Sequence, residues 1–326
     1  MTASPDLRFA RFDPVARVRL IDAYSPGAHV MRARRLRGGL GARTQVLDIE
    51  DAAGVRSKAV LRVYLPGRTT LTPERARREF RTIELVQAAG VPSPRPLYLD
   101  AEGEHFDTPA MLLSYLPGRP VQRPRDVGAW TEQLARAMLA IHAVSPDKHD
   151  LSWLRPLGRE EIASDLASKQ EEVAAHKDSL ARETLAALEV NLDRVAWQAP
   201  SLVHDDFWPG NTVWLRGRLI GVIDWADARL GDPRVDLPQC RLDALLVNGF
   251  EVCDALQDAY VRLSPRPVAD TWYFDLLLGL RALLYHEIWL VGYHDAGLTF
   301  VTKELALERI RAFLRRALDE AARRGS

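Results

Sequence analysis

Three features that the sequence lacks narrow the choice of protein class. Its 326 residues include only two cysteines, Cys240 and Cys253, which are too few for a disulfide framework, so we expect reduced thiols. No apolar run approaches the length of a membrane span, and the N-terminus has no signal-peptide core. Lys plus Arg and Asp plus Glu both number 44, so net charge gives no case for nucleic-acid binding. These absences favour a cytoplasmic protein that binds neither membranes nor nucleic acids.

The charges that are present are distributed unevenly. A glycine run is surrounded by arginines without an intervening acid: Arg32, Arg34, Arg35, Arg37 and Arg43. The stretch after position 224 is rich in acids and has few basic residues: Asp227, Asp232, Asp236, Asp243, Glu251, Asp254 and Asp258. This asymmetry suits an anionic cosubstrate and a neutral or cationic acceptor. Solvated helix faces carry the same charges, so that alternative stays open.

The most informative stretch contains two short apolar segments. Residues 212–215 and 219–223 are rich in strand-forming residues and flank a turn at Gly217, which predicts a β-hairpin. In such a hairpin Asn211 lies level with Ile223, because cross-strand neighbours are about 4.5–5.5 Å apart at Cβ. The residues at the open end of the hairpin are therefore expected to lie together.

Three polar side chains converge at this open end. Asn211 and Asp224 emerge there together, and Asp206 is close enough in the chain to reach the same place. An amide oxygen and a carboxylate form a hard-oxygen site suited to Mg²⁺. A second carboxylate beside it can orient a hydroxyl and accept its proton. This arrangement predicts phosphoryl-transfer chemistry.

The same stretch resembles the catalytic loop of the aminoglycoside phosphotransferase family, the small-molecule relatives of protein kinases. The family pattern is His-Gly-Asp, four residues and Asn, followed by Ile-Asp-Trp or Ile-Asp-Phe. The matching residues are His204, Asp206, Asn211, the run Ile223-Asp224-Trp225, and then Gly231, Asp232, Pro233 and Asp236. The resemblance implies that Asp206 is the catalytic carboxylate and that Asn211 and Asp224 are metal ligands. It also implies that His204 supports the loop by a structural hydrogen bond.

One position departs from the family pattern. Asp205 stands where the family usually has Gly, and Gly tolerates backbone dihedrals that Asp adopts less readily. Asp205 also adds a negative charge beside Asp206. The sequence leaves open how the backbone accommodates this residue.

The glycine run at residues 38–41 lies between two predicted strands. Backbone amides of such a turn can approach phosphate oxygens. Its place in the family pattern implies that Gly38 and Gly39 bind nucleotide. A plain hairpin turn has the same signature, and this alternative stays open.

A helix with clear start signals follows the next strands. Thr72 is suited to cap it, and Pro73 and Glu74 suit its first turn. Glu79 falls on the inward side of this helix, where an acid needs a cationic partner. The preceding strand offers Arg62, and also Lys58 with the same strand parity.

The resemblance implies that the strand residue at position 62 contacts phosphates and pairs with Glu79. The family has Lys there, whereas this chain has Arg62, which can hold phosphate and carboxylate but is not interchangeable with Lys. A surface pair within the helix is the alternative for Glu79.

An apolar run at residues 111–116 ends at Pro117-Gly118, which indicates a strand followed by a boundary. We therefore divide the chain into an N-terminal nucleotide-binding lobe, residues 1–116, and a C-terminal catalytic and acceptor-binding lobe, residues 117–326. The resemblance implies that this segment is a hinge. Its backbone at Ser114 and Leu116 would then hydrogen-bond an adenine-like base.

The resemblance implies an α+β, protein-kinase-like two-lobed fold, with an antiparallel sheet in the small N-lobe and a larger, mainly helical C-lobe. The implied reaction moves the terminal phosphoryl group of ATP or GTP to a hydroxyl of a small molecule, such as an aminoglycoside-like antibiotic, with Mg²⁺ as cofactor. The acting unit is expected to be a monomer or homodimer.

Three alternatives to this reading stay open. The acceptor could instead be a metabolite such as a choline-like amine, a sugar or homoserine. The chain could be a nucleotide-binding pseudokinase-like protein. It could also be a metal-dependent phosphohydrolase, although it lacks the tighter His and Asp cluster of two-metal hydrolases.

Overall fold

The computed structural model describes residues 12–36, 41–65 and 72–325. The chain divides into two compact units, Met1–Pro117 and Gly118–Ser326. The N-terminal unit contains an antiparallel sheet in the spatial order β1-β2-β3-β5-β4. Its elements are α1 (Pro14–Tyr24), β1 (His29–Leu36), β2 (Ala42–Glu50), β3 (Arg56–Tyr64), α2 (Pro73–Ala88), β4 (Pro96–Asp100) and β5 (Ala110–Ser114).

Helix α2 begins where the sequence signals predict. The Thr72 hydroxyl accepts the backbone N–H of Arg75 at 3.4 Å, and Pro73 occupies the first turn, where its missing N–H costs nothing. The buried face of α2 includes Ala76, Ile83 and the acidic Glu79. The sequence therefore places one carboxylate among the apolar residues of this helix.

The C-terminal unit is mainly helical. Its helices are α3 (Val127–His142), α4 (Arg159–Ser168), α5 (Gln170–Ala175), α6 (Ser179–Asn191), α7 (Asp236–Asn248), α8 (Phe250–Leu263), α9 (Thr271–Asp295) and α10 (Lys303–Gly325). Its strands are β6 (Arg155–Leu157), β7 (Ser201–Val203), β8 (Thr212–Leu215), β9 (Arg218–Val222) and β10 (Arg229–Gly231). Strands β6, β10 and β7 form one sheet in that order, and β8 pairs with β9.

The core of this unit lies among α6, α7, α9 and α10. Helix α7 is buried along almost its whole length, although it carries several charged side chains. Residues 155–157 form the short strand β6, because β10 from far along the chain pairs with them in parallel. Within the described residues, no helix is long and apolar enough to cross a membrane.

Candidate active site

The predicted hairpin forms and brings the two ends of the motif together. Strands β8 and β9 pair in antiparallel register, with a turn at Arg216 and Gly217, both of which have positive φ. Just outside the paired strands, the Ile223 N–H donates to the Asn211 carbonyl at 2.9 Å. The predicted pairing of Asn211 with Ile223 is confirmed, and Asp224 follows directly.

The side-chain amide of Asn211 holds Asp206. Its Nδ2 donates to the Asp206 carboxylate at 2.9 Å and to the Asp206 carbonyl at 3.0 Å. Because the nitrogen makes both bonds, the amide oxygen is the atom of Asn211 that remains to serve as a ligand. Asn211 ends a short 3₁₀ turn, Pro209–Asn211, which fixes its backbone.

The electrostatics around Asp206 favour its protonated form. Burial raises the pKa of Asp206 well above its ordinary value, and the negative charges of Asp224 and Asp243 raise it further. Asp224 has a φ of 68°, a left-handed conformation that is uncommon for an L-residue other than Gly. Backbone conformations of this kind cluster at functional sites.

Asp236, at the start of α7, anchors the beginning of the loop that carries Asp206. Its carboxylate accepts the backbone N–H of His204 at 2.9 Å and that of Asp205 at 2.8 Å. His142 Nε2 lies 3.0 Å from the same carboxylate, and His142 Nδ1 lies 2.9 Å from the Tyr260 hydroxyl. Burial alone would raise the pKa of Asp236, but the hydrogen bond and charge of His142 hold it below its ordinary value.

Asp205 adopts the backbone conformation that Gly usually supplies. Its φ is 58°, in the left-handed region, which Asp tolerates better than most side chains. Its carboxylate lies 3.0 Å from Nε of Arg229 on β10. Burial raises the pKa of Asp205 to about 6, although Arg229 acts in the opposite direction. The departure from the family pattern therefore keeps the loop conformation and adds an ion pair.

His204 is part of the packing beneath the loop. Its Nε2 donates to the Ile223 carbonyl at 3.0 Å, and its ring lies against Phe207 and Trp225. Burial lowers the pKa of His204, so that the neutral ring is favoured. The structural hydrogen bond expected for His204 is present.

In the N-terminal unit, the predicted partner of Glu79 is Arg62. The Arg62 guanidinium lies 2.8 Å from the Glu79 carboxylate, whose side chain is fully buried. Tyr64, two residues along β3, donates a hydrogen bond to the other carboxylate oxygen. The contribution of Tyr64 was not predicted, although it has the same strand parity as Arg62.

The remaining candidate residues of this unit are Ser114 and Leu116 near the end of β5, and Gly38 and Gly39 in the glycine run. Ser114 ends β5, where its backbone N–H donates to the Arg95 carbonyl at 2.8 Å. Leu116 forms no backbone hydrogen bond with another described residue, as a base-recognising hinge requires. Gly38 and Gly39 lie outside the described residues.

The donor set at the catalytic loop fits Mg²⁺. Mg²⁺ commonly takes one or two protein oxygens and completes its shell with water and phosphate oxygens. Asn211 and Asp224 supply an amide oxygen and a carboxylate, which are both hard donors. In the described part of the chain, no group of three or more His, Cys, Asp or Glu side chains is arranged to hold a metal ion.

Comparison with solved structures shows the fold. A thermostable mutant of aminoglycoside phosphotransferase APH(4)-Ia, in a ternary complex with ADP and hygromycin B, superposes with a TM-score of 0.62 at 18% identity, covering 91% of this chain and 97% of that one. Macrolide 2'-phosphotransferase MphH from Brachybacterium faecium gives a TM-score of 0.58 at 18% identity, covering 92% and 96%. The predicted protein-kinase-like α+β fold is confirmed.

Comparison with curated sequences and family models gives the family. Acyl-CoA dehydrogenase family member 10 of Mus musculus is 27% identical over 208 residues, which are 60% of this chain but only 19% of that protein. This chain thus spans about a fifth of the length of that relative. The sequence model of the phosphotransferase enzyme family matches residues 32–270. The chain therefore belongs to the phosphotransferase enzyme family, the family that contains the aminoglycoside phosphotransferases.

Proposed function

We propose that this protein transfers the terminal phosphoryl group of ATP or GTP to a hydroxyl group of a small molecule. The observation that carries the proposal is the contact between Asn211 and Asp206, in which one amide fixes the carboxylate while keeping its own oxygen for a cation. Family membership supports the same reaction class. Related structures hold ADP or AMP-PNP together with hygromycin B.

Asp206 is the proposed catalytic carboxylate. It orients the acceptor hydroxyl and takes its proton as the oxygen attacks the terminal phosphorus. The bond from that phosphorus to the bridging oxygen breaks, and the nucleoside diphosphate leaves. A raised pKa makes Asp206 a stronger base for this proton. Positioning and electrostatic stabilisation supply most of the rate enhancement in such reactions.

Asn211 and Asp224 are the proposed ligands of Mg²⁺. When bound, the ion neutralises charge on the phosphates of the nucleotide. The roles of these two residues are to present their oxygens in a fixed arrangement. The hydrogen bonds from Asn211 to Asp206 and from Ile223 to Asn211 provide that rigidity.

The nucleotide-binding residues proposed in the N-terminal unit are Arg62, Ser114 and Leu116, with Gly38 and Gly39 in the glycine turn. Arg62 binds phosphate oxygens, and Glu79 holds its guanidinium in place, as their 2.8 Å contact allows. The backbone at Ser114 and Leu116 binds the base.

We propose that the enzyme acts in the cytoplasm, as a monomer or homodimer. The acceptor class proposed first is an aminoglycoside-like antibiotic, because the related structures are those of aminoglycoside and macrolide phosphotransferases. Amines related to choline, sugars and homoserine are the alternatives, since one fold serves many acceptors.

A screen with radiolabelled nucleotide tests this function. Purified protein is incubated with Mg²⁺ and ATP or GTP, labelled at the terminal phosphate, and with a library of hydroxyl compounds. The proposal predicts a labelled product that depends on both acceptor and enzyme. Nucleotide binding without any transfer or hydrolysis would support a pseudokinase-like protein, and phosphate release that no acceptor changes would support a phosphohydrolase.

A further inference from the structure

The indole of Trp208 packs onto the turn that carries Asn211. Trp208 lies between Asp206 and Asn211 in the chain, and its carbonyl accepts the Asn211 N–H at 2.9 Å. Its ring covers Gly210 so closely that a Cβ at position 210 would lie 2.2 Å from a ring carbon. The conformation of this turn and the position of the Trp208 ring therefore depend on each other.

Tyr293, on α9, also packs against this indole. The two rings meet edge to face, with centroids 5.9 Å apart and an interplanar angle of 84°. Tyr293 is buried, and its hydroxyl donates a hydrogen bond to Asp243 on α7. The position of the Tyr293 ring is thus set by a polar contact with a different helix.

Asp243 differs from three other buried aspartates of this unit, each of which has a basic partner. Asp232 pairs with Arg234, Asp275 with Arg241, and Asp236 with His142. Asp243 forms no ion pair with any cationic side chain in the described ranges. Its second oxygen accepts Gln239 Nε2 at 2.9 Å.

A buried carboxyl group without a cation costs stability. Burial raises the pKa of Asp243 to about 8, against the smaller opposing effect of the Gln239 hydrogen bond. An apolar residue would fill the same space on α7 without that cost. The contact with Tyr293 gives Asp243 a role that an apolar residue could not fill.

We propose that Tyr293 and Asp243 are positioning residues, which hold Trp208 against Gly210 and so fix the turn that presents Asn211 to Asp206. This inference rests on the proposed function, since it concerns the same catalytic loop. It assigns no contact with substrate to either residue. Loss of the hydrogen bond between them releases the Tyr293 ring, and the loop becomes less well ordered at the reacting groups.

The test uses five variants of the full chain and measures phosphate release from ATP, with water as acceptor. Tyr293→Phe removes only the hydroxyl, and Asp243→Leu removes its acceptor together with the acceptor of Gln239 Nε2. The double variant measures whether the two act as one unit. Asp243→Asn keeps an oxygen that accepts the Tyr293 hydrogen bond. Tyr273→Phe is the matched control, because Tyr273 is buried in the same helix about 30 Å along its axis.

We expect kcat to fall by about tenfold or more in Tyr293→Phe and in Asp243→Leu, with KM for ATP little changed, because misplacement of reacting groups acts on the chemical step. The double variant should be no slower than the slower single variant. Asp243→Asn should recover most of the loss, and Tyr273→Phe should behave as wild type. Thermal unfolding of each variant checks that the chain is folded.

Three results would overturn the inference alone. In an active wild-type enzyme, Tyr293→Phe could keep the kcat of Tyr273→Phe, or the two single losses could simply multiply in the double variant. A fall in kcat that Asp243→Asn fails to recover would also contradict the hydrogen-bond role. Wild-type protein with no phosphate release and no transfer to any acceptor would refute the proposed function and this inference together.

Discussion

Glu79 in the N-terminal unit and Asp206 in the C-terminal unit are two buried acids that the protein stabilises in different ways. In the N-terminal unit, Glu79 has a guanidinium 2.8 Å from its carboxylate and a tyrosine hydroxyl on its other oxygen. In the C-terminal unit, Asp206 forms no ion pair with a cationic side chain among the described residues. Its carboxylate is held instead by the neutral amide of Asn211.

This difference separates an acid whose charge an arginine neutralises from one that a neutral amide holds. A carboxylate paired with arginine is stabilised in the folded chain and serves to orient its partner. A buried carboxylate beside other acids, with a raised pKa, is destabilised unless a cation arrives. In the proposed function, the second arrangement makes Asp206 a stronger base for the proton of the acceptor hydroxyl.

The largest expected effect comes from removing the proton acceptor. Asp206→Asn should lower kcat for phosphoryl transfer by about 10²–10⁴-fold, because proton transfer by a positioned group contributes that much. Nucleotide should still bind, since the amide keeps the shape of the site. Single-turnover transfer and calorimetric nucleotide binding measure both quantities. Asp254→Asn, which changes an acid paired with Arg316 on the surface, is the control.

The next test of this comparison removes the guanidinium that pairs with Glu79. Arg62→Ala should lower the free energy of unfolding by about 3–5 kcal/mol, because it leaves a buried carboxylate without its ion-pair partner. Arg56→Ala, on the same strand, breaks an exposed ion pair with Glu50 and should cost at most about 1 kcal/mol. Denaturant unfolding compares the two variants. Equal losses of unfolding free energy in Arg62→Ala and Arg56→Ala would show that the buried ion pair contributes no more than the exposed one.

Asp205 gives a smaller effect that depends on pH. Its pKa is about 6 in the folded chain and 3.8 in the reference state, so the folded chain holds the proton more tightly. Its contribution to stability is complete below about pH 4 and is lost as the pH rises to about 6. Relative to Asp205→Gly, wild-type protein should therefore lose about 3 kcal/mol of unfolding free energy between these limits. A difference in unfolding free energy between wild type and Asp205→Gly that does not change with pH would contradict the raised pKa of Asp205.

The smallest effect concerns the backbone at the same position. Asp205→Gly fits a φ of 58° without strain, whereas Asp205→Val places a β-branched side chain there. We expect the Val variant to be less stable than the Gly variant by about 1–2 kcal/mol at pH 7. Thermal unfolding of the two variants measures the difference. Equal stabilities would show that the loop changes conformation when Asp205 is replaced.

The parts of the site that local periodicity defines were predictable from the sequence. Hairpin spacing placed Asn211 beside Ile223, and helix spacing placed Glu79 on the inner face of α2, within reach of Arg62. The contacts made by Tyr64 on β3 required the actual packing of α2 against the sheet. The functional roles of these residues stay predictions.

The residues that hold the loop at 204–211 in place were not predictable from the sequence, because they lie on elements far away in the chain. Asp236 was identified only by resemblance. Its hydrogen bonds to two loop amides depend on where the first residue of α7 lies relative to the loop that follows β7. Tyr293 and Asp243 meet through the packing of α9 against α7, which no local pattern encodes. The sequence signal for this contact was that Asp243 is an acid within the apolar pattern of α7.

The most direct test of the central claim is the effect of Mg²⁺ on ADP affinity, measured by calorimetry in wild-type protein, Asn211→Ala and Asp224→Ala. If these two residues hold the ion, Mg²⁺ should tighten ADP binding by about tenfold or more in wild type, which is about 1.4 kcal/mol. The gain should largely disappear in both variants, while affinity without Mg²⁺ is retained. An equal gain from Mg²⁺ in all three proteins would contradict the claim.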